Sequence, residues 1–245
     1  VTAPSAKKSR DSEALPPPGG DQLHLWLAAS DDVTDSDGFT RAVLSRYTGH
    51  PPGSLAFARG PHGKPQLLGG VRTLSFNLSD SGAWLALAIS GAAAIGVDLE
   101  FCDPARDVLK LARRCFSAAE IADMEAREGA WLIDRFYDYW TLKEARVKAF
   151  GGSLGRELQG TAFKLTDTDN RGATVIEALE PPAGNAWYGL LEPLPDYRLA
   201  LCCVAGVDFS RGLRILQWPG GAAMGSEPLR LRAVSTVPDG GWSGE

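Results

Sequence analysis

Histidine and cysteine, the residues from which most transition-metal sites are built, are scarce here: three and four among 245 residues. No two cysteines stand in a C-x-x-C pair, so zinc-site spacing is absent. Cys202 and Cys203 are adjacent within an apolar run and read as buried strand residues. With Cys102 and Cys115 they fit a reduced, cytosolic compartment. No run approaches the ~20 apolar residues that span a bilayer, and the longest candidate, 83–97, is broken by Ser90, Gly91 and Gly96. Residues 1–20 begin with Lys and Arg but lack the apolar centre of a secretory signal. A basic stripe is also missing and the formal net charge is −5, so neither a general nucleic-acid partner nor a membrane is expected.

What remains is ordinary globular material, 44% hydrophobic and 22% charged, long enough to bury a sizeable core. Residues 1–20, ending Pro-Pro-Pro-Gly-Gly, read as a disordered tail, and Gly/Pro/Ser-rich 217–245 as another. Between them, alternation at Leu23, Leu25 and Leu27 predicts a strand, and 37–47 a helix closed by Gly49. Leu74–Leu78 and Trp84–Ser90 read as strands around a Ser-Asp-Ser-Gly loop, followed by a strand over 94–100. Ser117-Ala-Ala-Glu120 has the form of a capping box, with Phe116 and Ile121 placed as its hydrophobic staple. Trp131–Phe150 is the strongest helix, stopped by Gly151-Gly152. Strands are expected at 161–166, 173–179, 187–191 and 198–204. Helices followed by strands, twice over, predict an α+β chain of two similar halves, 21–96 and 97–216.

Three groups of residues carry chemical interest. In Gly96-Val97-Asp98-Leu99-Glu100, strand alternation points Asp98 and Glu100 the same way, roughly 6–7 Å apart. Two convergent carboxylates suit a hard cation such as Mg²⁺, although a wet strand face gives the same pattern. On the long helix, Ile133, Phe136, Trp140, Glu144 and Val147 form one stripe. Glu144 stands where an apolar residue is expected, and a carboxylate taken out of water needs a metal or a lysine. Alternatively, Glu144 and Lys148 are an ordinary i,i+4 surface pair. The polar loop Phe76-Asn77-Leu78-Ser79-Asp80-Ser81-Gly82 offers donors for a phosphate, or is simply a hairpin loop.

Taken in order, Gly63-Lys64-Pro65, Phe76-Asn77-Leu78-Ser79, Gly96-Val97-Asp98-Leu99-Glu100, Phe116-Ser-Ala-Ala-Glu120 and Trp140-Thr-Leu-Lys143-Glu144-Ala145 resemble a known family. It is the 4′-phosphopantetheinyl transferase superfamily, of the surfactin-synthetase-activating type. Lys148, a Gly-Gly-Ser-Leu segment and Pro195-Asp-Tyr-Arg198 extend the match, which covers roughly 60–205. The resemblance implies a monomer of two pseudo-twofold halves, each a small, mostly antiparallel sheet packed with helices, with coenzyme A in the cleft between them. It implies that Asp98, Glu100 and Glu144 hold Mg²⁺ and that Lys143 and Lys148 face phosphate or the leaving group. Glu144, Lys143 and Lys148 are then the catalytic set. Lys64 and Pro65 are expected near the adenine nucleotide, with Ser79, Asp80 and Arg41 also at the coenzyme A site. The implied reaction moves phosphopantetheine from coenzyme A to a serine of an apo carrier protein or domain of fatty-acid, polyketide or nonribosomal-peptide synthesis.

Two departures bear on activity. Asp80 stands where the family usually has histidine. The family's long basic segment before the first helix is reduced to residues 30–39, which carry Asp31, Asp32, Asp35 and Asp37. These features keep open an impaired relative that binds carrier or coenzyme A without efficient transfer. Lys7, Lys8 and Arg10 are expected to be solvated tail charges. An unrelated Mg²⁺ phosphoesterase would use the same carboxylates.

Overall fold

The computed structural model describes residues 14–60, 63–69, 74–91, 93–152, 157–167, 174–179, 186–204, 207–219 and 230–235. The first strand, β1 (Leu23–Ala29), is buried on both faces. Helix α1 (Ser36–Thr48) starts where the Asp35 side chain accepts from Gly38 N–H. It stops at Gly49, whose φ of 70° a side chain would oppose. A two-stranded ribbon, β2 (Ala56–Arg59) and β3 (Pro65–Leu68), precedes the hairpin β4 (Ser75–Ser81) and β5 (Trp84–Ser90). The expected polar loop is therefore mostly strand. Only Gly82 and Ala83 turn, with Gly82 at φ 57°, a two-residue connection that favours glycine first.

The second half opens with β6 (Ala94–Phe101), then α2 (Val108–Cys115), α3 (Ala118–Glu125) and α4 (Ala130–Phe150). The capping box on α3 is complete, with both reciprocal bonds formed. Six further strands follow: β7 (Phe163–Asp167), β8 (Thr174–Ala178), β9 (Ala186–Glu192), β10 (Tyr197–Val204), β11 (Leu213–Gln217) and β12 (Arg230–Ser235).

The sheets run β11-β1-β5-β4 and β6-β10-β9-β12-β8-β7. Their inner faces meet through Leu23, Leu25 and Leu27 on one side and Val97, Leu99, Leu199 and Leu201 on the other. Helix α1 covers the outer face of the first sheet with Phe39, Val43, Leu44 and Tyr47. Helices α2–α4 cover the second with Phe116, Met124, Phe136 and Leu142. The result is an α+β fold of four layers, helix–sheet–sheet–helix, in which most sheet contacts are antiparallel.

The expected boundaries shift accordingly. Position 96/97 falls inside β6, which belongs wholly to the second sheet, while β11 returns to pair in parallel with β1. The supposed C-terminal tail holds β12, lodged between β9 and β8, and Trp218, packed edge-on against Trp26 and Phe39. At the other end, Leu15 N–H donates to Arg46 O at 2.8 Å. A methyl group at Gly91 would lie 2.1 Å from Pro18 O, so the start of the described chain is packed down. Lys7, Lys8, Arg10, Ser153 and Leu154 lie outside the described residues.

Candidate active site

The site begins with a glycine. Positions 96, 98 and 100 of β6 share the face opposite Val97 and Leu99, and that face meets α4. A Cβ on Gly96 would stand 2.0 Å from Ala145 O and 2.5 Å from Ala149 N, so the helix backbone lies directly on the strand. This contact carries Glu144 and Lys148, one turn apart, over Asp98. Lys148 Nζ donates to Asp98 Oδ1 at 2.6 Å and to Ser79 Oγ at 3.1 Å, and stands 3.8 Å from Glu144 Oε2. Glu100 accepts from Trp140 Nε1 at 3.0 Å and from Ser81 Oγ at 3.2 Å. Asp98 Oδ2 is buried with no hydrogen-bond partner.

Strand β4 sets these carboxylates from the other side. Among the described residues no strand pairs with the outer edge of β6, so its N–H groups need other acceptors. Asn77, Ser79 and Ser81, alternating along β4, accept from the N–H groups of Val97, Leu99 and Phe101 at 2.8, 3.1 and 3.0 Å. Both serines also donate onward, Ser79 to Asp98 Oδ1 and Ser81 to Glu100 Oε2, each at 3.2 Å. One repeated device ties the two sheets together and aims both acids. Ser81 and Trp140 were not among the expected site residues. Their signal was the two-residue spacing 77-79-81, matching 97-99-101, and the single turn from Trp140 to Glu144.

Concentrated negative charge out of water raises proton affinity. Burial pushes the Asp98 carboxyl up, opposed by Lys148. Glu100 is raised by burial and then by Asp98. Glu144 is pushed up to about 8, by burial and then by the Asp98 charge, with Lys148 working the other way. Burial alone would lower Lys148, but Asp98 and then the two glutamates hold its ammonium above the usual lysine range.

Lys143 is not part of this cluster. A step of one residue turns a helix by about 100°, and Lys143 points into the core with none of its side chain exposed. It donates to both Glu120 carboxylate oxygens, at 2.8 and 3.1 Å, and to Thr161 O. Glu120 also closes the capping box on Ser117 N–H and accepts from Phe163 N–H. Burial lowers the Lys143 ammonium, with Glu120 opposing. In place of the expected phosphate contact, the residue joins α3, α4 and the approach to β7.

Where the start of β6 meets the end of α4 lies a cleft of about 520 Å³, lined by Lys64, Pro65, Phe76, Ala94, Ala149 and Phe150 and by none of the three acids. A second hollow of about 290 Å³ shares Pro65 and Phe76 and is lined by Arg41, Arg59, Phe57 and Leu78. Lys64 and Arg41 are thus adjacent to cavities, but both are engaged. Lys64 Nζ donates to Ile95 O and Lys148 O at 2.6 and 2.7 Å, and burial lowers it to about 8. Arg41 pairs with Asp37 at 2.6 Å and donates to Leu55 O at 2.7 Å. Asp80 is exposed and lies on the strand face opposite Ser79.

Three carboxylates and a buried oxygen without a donor have the chemistry of a hard-cation site. Among the described residues, no three such side chains are already gathered as a ready ligand shell. The Lys148 ammonium stands between Asp98 and Glu144. The donor set fits Mg²⁺ in kind, and closure around it requires side chains to turn.

The fold and site define an α+β protein with an acidic centre bridged by a lysine, and comparison with known proteins gives its relatives. The sequence model of the 4′-phosphopantetheinyl transferase superfamily matches residues 94–202, which contain β6, α4 and the three acids. The chain is 33% identical over 177 residues to the 4′-phosphopantetheinyl transferase HetI of Nostoc sp., covering 71% of this chain and 68% of that one. It is 27% identical over 179 residues to a 4′-phosphopantetheinyl transferase of Bacillus subtilis, covering 73% and 76%. Identity to AcpT of Salmonella typhimurium is 35% over 153 residues, covering 62% and 72%. The chain belongs to the 4′-phosphopantetheinyl transferase superfamily.

Proposed function

We propose that the protein transfers 4′-phosphopantetheine from coenzyme A to a serine of an apo carrier protein, with Mg²⁺, releasing 3′,5′-ADP. The observation that carries this reading is that one ammonium, Lys148, bridges Asp98 and Glu144 from two distant segments, with Glu100 two residues along the same face of β6. Asp98, Glu100 and Glu144 would hold the magnesium ion. When bound, that ion neutralises charge on the diphosphate of coenzyme A. The carrier serine oxygen forms a bond to the β-phosphorus, and the bond from that phosphorus to the bridging oxygen breaks, so 3′,5′-ADP leaves. The serine proton passes to Glu144, the carboxylate that the central helix brings to this cluster. Lys148 supplies positive charge to the phosphates. Ser79 and Ser81 hold Asp98 and Glu100 in place while the substrate is positioned. On this proposal the protein acts as a monomer in the cytosol.

A second reading is that of an impaired relative, favoured by Lys64 and Arg41 being tied to backbone carbonyls and Asp37. One assay separates the two. Apo-carrier is incubated with coenzyme A and Mg²⁺, and the carrier is weighed by mass spectrometry. The proposal predicts gain of the phosphopantetheine mass, abolished by chelator and by Asp98→Ala. An unmodified carrier at every coenzyme A concentration would leave the impaired relative standing.

A further inference from the structure

Lys148 sits where the cation would be needed. Its ammonium is bonded to Asp98 Oδ1 at 2.6 Å, stands 3.8 Å from Glu144 Oε2, and is braced by Ser79 Oγ at 3.1 Å. Its side chain is only 23% exposed, and Asp98 beneath it 3%. A buried carboxylate cluster left without positive charge is strongly unfavourable, and Lys148 is the cation that contacts Asp98. Lys64, the other lysine near this end of α4, donates instead to the carbonyl of Lys148 itself, fixing the backbone from which the side chain swings.

We propose that Lys148 is a tethered counter-ion that holds the place of the divalent metal. Metal entry displaces its ammonium from Asp98 and delivers it to the phosphates of the incoming substrate. The inference rests on the metal-dependent reading of this site. It accounts for the carboxylates lying near one another without forming a ready ligand shell. It also makes metal binding to the bare protein weak and ties it to the arrival of a phosphate that can take the lysine. No bond is made or broken in this exchange, and each ammonium contact with a carboxylate is replaced by one with phosphate oxygen.

The test uses Mn²⁺ as the probe, with the full chain and no coenzyme A, following the free-ion electron paramagnetic resonance signal. Lys148→Met removes the competing charge, so Mn²⁺ should bind roughly ten-fold or more tightly than to wild type. Lys148→Arg should bind no better than wild type. Asp98→Asn with Lys148→Met, a neutral pair that keeps shape, should lose the gain. Because Lys148→Met leaves Asp98 without its partner, thermal unfolding is measured in parallel. This variant should melt lower without metal and be raised by Mn²⁺ more than wild type is. Equal or weaker Mn²⁺ binding by Lys148→Met, with an unaltered metal-induced rise, overturns the counter-ion role. If Mn²⁺ binding is also indifferent to Asp98→Asn, the metal-dependent reading falls with it. If Asp98→Asn alone weakens binding, that reading survives without the counter-ion.

Discussion

Lys143 and Lys148 stand five residues apart on α4 yet meet opposite surroundings, and the difference is testable residue by residue. Lys143 is held in the core by Glu120. Lys143→Met strands that buried carboxylate and should cost about 3–5 kcal/mol in urea unfolding. Adding Glu120→Gln should restore most of it. If Lys143 has only this structural role, the folded double variant transfers phosphopantetheine within a few-fold of wild type. A folded but inactive double variant would return Lys143 to the catalytic set. His24 gives a second prediction at this scale. It is buried in β1, with Nδ1 2.9 Å from Tyr47 Oη, which also accepts from Trp26 Nε1 at 2.7 Å. Burial, and then the Arg214 charge, lower its pKa from 6.5 to about 4. The unfolded chain therefore takes up a proton below 6.5 that the folded chain refuses until about 4. Stability from this residue is intact above that window and drains as pH falls through it, by ~2 kcal/mol. Thermal unfolding from pH 7 to 4 should show this slope in wild type and a flatter one in His24→Gln.

At the scale of elements, the contact between β6 and α4 decides whether the site exists. Gly96→Ala drives a methyl group into the backbone of α4 at Ala145 and Ala149. It should cost about 3 kcal/mol and reduce transfer by more than the loss of folded protein explains, because Lys148 and Glu144 ride on the displaced helix. Urea titration together with steady-state transfer checks both parts, and a variant with wild-type activity would show that the close approach is unnecessary. Much at this scale was legible in the sequence. Alternation in 94–100 placed Asp98 and Glu100 on one face, and the i,i+4 spacing brought Glu144 and Lys148 together. The end of β4 was less visible, because Ser-Asp-Ser-Gly is turn composition. Its serines bond to the β6 backbone, a partner 20 residues away that local pattern does not reveal. The core position of Lys143 was not visible from its adjacency to Glu144, because a helix separates neighbours onto different faces.

At the scale of the molecule, the order of helices and strands was enough for an α+β fold, but not for its closure. Strands β11 and β12 are short, and β12 stands among residues whose composition reads as linker. Their pairing with β1, β8 and β9 depends on sheet edges formed far earlier in the chain. Helix α4 likewise carries one expected apolar stripe but is buried on most sides. Its charges Arg135 and Asp138 are paired with Asp167 and Arg198 from distant strands. The whole arrangement presents a strand from one sheet, a second strand from the other and the central helix to one point. That convergence is the central claim, and crystals grown with coenzyme A and Mn²⁺ test it most directly. The anomalous difference map should show one peak bounded by the carboxylates of Asp98, Glu100 and Glu144, with Lys148 turned to the diphosphate. Coenzyme A bound in the cleft with no peak there, or with the metal held by other residues, would contradict the account.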